Sequence, residues 1–67
     1  MSRRVYAVRY VREGGGYRKV RFFQSRRAVD RFLERLMGDG RPELAPLVEV
    51  TVEARDVGPW AVEEVLR

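Results

Sequence analysis

From Leu47 to Val57 the chain alternates between apolar and polar residues. Val48, Val50, Val52 and Ala54 fall on one side, and Glu49, Thr51, Glu53 and Arg55 on the other. A strand repeats every two residues, so this pattern calls for one buried face and one wet face. Such a strand needs a cover, and the sequence holds one strong candidate. Ala28, Val29, Phe32, Leu33, Leu36 and Met37 recur at helical spacing and form a single apolar stripe. Ser25 stands where an N-cap belongs, and Gly38 where a helix commonly stops. The spacing predicts a helix over about Arg26 to Met37.

Two earlier runs read as strands. Arg4 to Arg12 is dominated by valine and tyrosine, residues that suit a pleated, half-buried surface. Its Tyr6/Val8/Tyr10 face is expected to point inward. Gly14-Gly15-Gly16 follows as a hairpin connection, because glycine reaches positive φ without strain. A phosphate-cradling loop would need a helix directly after the glycines. Instead a second strand runs from Tyr17 to Phe23, with Val20 and Phe22 on its expected inner face and Lys19 and Arg21 on its outer one. Asp39 to Pro46 reads as a loop. Gly58-Pro59 ends the third strand, and Trp60 to Leu66 reads either as a short helix or as an extended tail.

The expected fold is therefore an α+β domain of ββαβ order spanning residues 1–67. One helix covers one face of a three-stranded antiparallel sheet, with the first strand central and a short C-terminal segment after the third. The expected core is Val20, Phe22, Val29, Phe32, Leu33, Leu36, Val48, Val50 and Val52. The second and third strands are the expected edges. Open edges invite pairing with another chain, so a homodimer through an edge or through the Trp60 segment is one expectation.

Composition removes whole classes of chemistry. The 67 residues include no cysteine and no histidine. Disulfides, thiolate metal sites and imidazole acid–base catalysis are excluded. Ser2, Ser25 and Thr51 have no histidine to activate them. The carboxylate pairs Glu49/Glu53 and Glu63/Glu64 read as a balanced strand face and a solvated surface, not as an opposed dyad in a cleft. The expectation is a non-enzymatic protein without metal or cofactor. No run is apolar and long enough for a membrane span, and nothing after Met-Ser-Arg-Arg fits a signal peptide. A cytoplasmic location is expected.

Arginine carries the functional signal. It supplies 13 of the 14 basic residues, while isoleucine and asparagine are absent, a bias that fits a GC-rich genome. Residues 1–36 hold eleven basic and three acidic side chains, a balance of +8; residues 37–67 hold three and seven, a balance of −4. Either the halves neutralise each other, or the first half meets an anionic partner. Two groups stand out. Arg9, Lys19 and Arg21 are expected together on the outer face of the hairpin, where Glu49 and Glu53 can balance the arginines. Arg27, Arg31 and Arg35 recur every four residues along the helix. Guanidinium groups suit phosphate, which they grip as a fork. Tyr6, Tyr10, Phe22 and Phe32 are spaced as core residues. Trp60 reads either as a lock for the C-terminal segment or as an exposed interface anchor.

The segments YAVRYV, EGGG, YRKVRFF and QSRRAVDRFLERL together resemble the arm-type DNA-binding domain of tyrosine-recombinase phage integrases. The resemblance covers residues 6–37. That family places three strands before its helix; here there are two. The resemblance implies DNA binding, with the outer face of the hairpin entering a major groove and Arg9, Lys19 and Arg21 as contacts. Apart from that resemblance, the chain as a whole looks like a small accessory protein of a phage or GC-rich bacterium. That likeness implies the other function class, a protein-interaction module or inhibitor that binds a host or defence protein.

Overall fold

A computed structural model describes residues 4–15, 18–38 and 45–67. It has five elements: β1 (Val5–Arg12), β2 (Lys19–Phe23), α1 (Arg26–Gly38), β3 (Leu47–Arg55) and β4 (Ala61–Val65). The strands form one antiparallel sheet in the order β2-β1-β3-β4. The α+β class and the central β1 match the sequence reading, but the sheet has four strands, and β3 is internal. The edges are β2 and β4.

The helix starts where the cap predicts. The Ala28 N–H donates to Ser25 Oγ at 3.2 Å, satisfying a donor that the first turn leaves without a partner. Val29, Leu33 and Leu36 face the sheet and meet Val8, Val50 and Val52 in one buried cluster. Tyr6, Tyr10, Phe23, Phe32, Leu47 and Leu66 pack around it. Among the described residues no polar or charged residue is buried.

Two expectations about facing are corrected, and one open alternative is decided. First, the hairpin register pairs Tyr6 with Phe23 and Ala7 with Phe22. Directly opposed residues share a face, so Phe23 joins the core, while Val20 and Phe22 lie on the sheet face away from the helix. Phe22 is 64% exposed. Second, Val11 pairs with Glu49 but Arg12 pairs with Leu47. Val48 is the extra residue of a β-bulge; it is 52% exposed, and Leu47 takes its place against the core.

Third, the segment after Gly58-Pro59 is a strand. Gly58 turns the chain at φ 111°, and β4 pairs along the free edge of β3. Seven residues are too few to sustain a helix alone, whereas the β3 edge offers ready backbone partners. The Leu66 N–H continues this attachment by donating to the Val50 carbonyl at 2.8 Å.

The hairpin turn depends on its glycines. The Gly15 N–H donates to the Arg12 carbonyl at 2.9 Å, and Gly14 has φ 74°, the positive value that the third residue of a type II turn requires. A Cβ on Gly15 would lie 2.9 Å from the Arg12 carbonyl oxygen. The same turn anchors the chain entering β3. The Glu13 N–H donates to the Pro46 carbonyl at 2.9 Å, and the Arg12 guanidinium to the Ala45 carbonyl at 2.8 Å.

Candidate nucleic-acid interface

Four residues of helix advance about 400°, so side chains at that spacing drift by only about 40° and form a column. Helix α1 carries two such columns. Arg26, Asp30 and Glu34 form one; Arg27, Arg31 and Arg35 form the other. Their environments differ in sign.

The first column turns toward β4. Arg26 donates to Asp30 at 3.0 Å, to Glu63 at 3.2 Å and to Glu64 at 2.9 Å. Adjacent strand residues normally point to opposite faces, yet Glu63 and Glu64 both reach one guanidinium. A second bulge explains it: Val52 pairs with Glu64 and Glu53 with Val62, leaving Glu63 as the extra residue. The hydrogen bond that Arg26 donates to Glu64, with the one it donates to Asp30 and the attraction of both carboxylates, raises its pKa against the opposing effect of desolvation. Arg26 is therefore committed to joining helix and edge strand. The pair Glu63/Glu64, expected as a simple solvated surface, is its counterpart. Arg4 caps the same end of the sheet by bonding Asp56 and Glu63. Its pKa is raised by the Asp56 hydrogen bond first.

The second column turns toward β2. Arg27, Arg31 and Arg35 form one wall of a groove of about 340 Å³, and Arg21 of β2 stands opposite. Phe23 and Phe32 supply its apolar lining, with their ring centroids 5.2 Å apart. The Arg21 guanidinium carbon sits 5.4 Å from the Phe32 ring centroid, a cation–π contact that fixes the side chain while leaving its N–H groups available. Ser25, the helix cap, also lines the groove. Among the described residues no acidic side chain lines it. Among the described residues none of its four arginines takes part in an ion pair.

The expected hairpin group is divided by this arrangement. Arg9 pairs in register with Val20 and lies on the open sheet face, where it bonds Glu53 at 3.0 Å in a partly buried pair. Lys19 pairs with Tyr10, and Arg21 with Val8, so both lie on the helix side. The expected common surface of Arg9, Lys19 and Arg21 does not form. The expected balance of Arg9 by Glu53 does, whereas Glu49 is taken by Arg18 at 3.1 Å and not by Arg21. The helical column Arg27, Arg31 and Arg35 lies as its periodicity predicts. What sequence reasoning missed is that Arg21 joins it from another element.

Trp60 lies on the far side. Its ring centroid is 6.0 Å from that of Phe22, and the Arg55 guanidinium carbon lies 5.1 Å from its ring centroid. Ala7 sits between Phe22 and Glu53 in register and is fully buried, although it lies on the open face. Trp60 thus ties the start of β4 to β2 across the sheet. The same face leaves Val62 and Val65 59% and 65% exposed.

Among the described residues no group of three or more potential metal ligands occurs, and no helix is long and apolar enough to cross a membrane. No family model, no curated protein and no solved structure matches the chain.

Proposed function

We propose that this protein is a non-catalytic nucleic-acid-binding module that grips phosphates in the groove between α1 and β2. The observation that carries this reading is the convergence of Arg21, Arg27, Arg31 and Arg35 on one groove that, among the described residues, no carboxylate lines. Like charges brought together repel, and a polyanion relieves that repulsion while releasing its own condensed counterions. The reading rests on the groove and not on the resemblance to integrase arm domains, because the three residues implied as contacts by that resemblance lie on two faces.

Binding to a labelled oligonucleotide should fall steeply with salt. The double substitution Arg27→Ala/Arg31→Ala should weaken it and flatten the plot of log affinity against log salt by about 0.7–0.9 per lost phosphate contact. Arg9→Ala should leave the slope unchanged, since Arg9 is occupied by Glu53 on the other face. Equal losses from Arg9 and from the helical pair would reject the groove as the binding surface.

The open sheet face supports a second reading, a protein-interaction module whose simplest partner is a second copy of the chain. Phe22, Val62 and Val65 are exposed there beside Trp60. The Arg9–Glu53 and Arg18–Glu49 pairs neutralise four of the charges on this face, which lowers the repulsion between two copies that meet through it. Light scattering is expected to give a dimer that Phe22→Asp converts to monomer. A monomer at every concentration dismisses self-association.

A further inference from the structure

Resting on the phosphate-binding reading, we infer that the groove takes a single nucleic-acid strand and not a duplex. Its cations stand on two walls, Arg21 on β2 and Arg27, Arg31 and Arg35 on α1. A ligand that uses both walls must lie between them. At about 340 Å³ the space suits one sugar–phosphate backbone. A duplex would have to rest outside, on the exposed surface of α1.

That outer surface is unsuited to a duplex. A helix laid in a major groove has a phosphate backbone along each flank. On α1 the basic column has the Asp30 and Glu34 column directly beside it, so a duplex broad enough to cover the helix would press phosphates onto carboxylates. A strand confined to the β2 side meets the basic column alone.

The spacing along the groove fits the same ligand. Residues four apart on a helix rise by about 6 Å, so Arg27, Arg31 and Arg35 offer three donors at regular steps to successive phosphates. Arg21 adds a flat surface. Its guanidinium already lies over Phe32, and an unpaired base can stack on an arginine plane. Bases in a duplex are paired and stacked on each other, and offer no free face for this.

The test is fluorescence anisotropy with one labelled oligodeoxynucleotide, free and annealed to its complement, over a salt series. The single strand is expected to bind at least about tenfold more tightly, with a log–log salt slope near −3 for four phosphate contacts at about 0.7 each. Arg21→Gln, which keeps an aliphatic stem over Phe32, should weaken single-strand binding as much as Arg31→Gln does. Circular dichroism on both variants establishes that they fold. A duplex bound as tightly as the single strand, or an Arg21→Gln variant with undiminished single-strand binding, overturns the inference while phosphate binding stands. Absence of binding to either form removes the phosphate reading, and the inference with it.

Discussion

Leu33→Ala is expected to destabilise the fold by about 2–5 kcal/mol, the range for truncating a large aliphatic side chain in a core. Leu33 is 8% exposed and belongs to the cluster with Val8, Val29, Val50 and Val52. Three of those neighbours stand on the sheet and one on the helix, and all are β-branched residues with stiff χ1 angles. The site cannot collapse around the missing atoms, so the cavity persists. A domain of this length buries only about 60% of its unfolded surface, and ordinary domains are stable by only about 5–15 kcal/mol. The variant should therefore be close to unfolding at ambient temperature. Urea melts followed by circular dichroism test this, with Leu33→Met as control at a cost below about 1.5 kcal/mol. An unchanged midpoint for Leu33→Ala would contradict the packing of α1 on the sheet.

The two adjacent phenylalanines should behave very differently. Phe23→Ala removes a ring packed against Phe32 and the core, and is expected to cost about 2–4 kcal/mol, toward the lower side of the range for buried aromatics. Phe22→Ala removes a ring that is 64% exposed and should cost about 1 kcal/mol, the scale of one aromatic pair. Fluorescence separates them further. Trp60 is the only tryptophan and packs against Phe22, so its native emission should shift in Phe22→Ala and stay unchanged in Phe23→Ala. The opposite pattern would mean that β2 is displaced by one residue, which exchanges its faces.

That pair also marks how far the sequence can be read. Ser25, the apolar stripe of α1 and the Val50/Val52/Ala54 face of β3 were legible because each pattern is local. The Tyr6/Val8/Tyr10 face of β1 was only the favoured of two apolar faces, and Ala7 on the other is buried as well. The facing of β2 was not legible, because KVRFF offers a phenylalanine to either side, and only the pairing of Tyr6 with Phe23 chooses between them. Val48 continues the alternation in sequence but leaves the core at a bulge that depends on β1. β4 has only five residues, and it is a strand because β3 has an edge to offer. The site divides the same way. Periodicity alone finds Arg27, Arg31 and Arg35. Arg21 joins them only when β2 is folded beside α1, and the partners of Arg26 are equally non-local, because a bulge in β4 brings both Glu63 and Glu64 to it.

The strand order has a consequence for how the protein is made. β1 is central, yet it acquires its partners at very different times. β2 follows directly, whereas Val5 pairs with Arg55 and Arg12 with Leu47, across the helix and the connection after it. Closing such long loops costs chain entropy before any contact between the strands is gained. Val50 and Val52, two of the three buried valines that the sheet places under α1, leave the ribosome only after the hairpin and the helix. The nascent hairpin and helix must wait with their apolar faces uncovered until β3 arrives, so the core cannot close before β3 has been made.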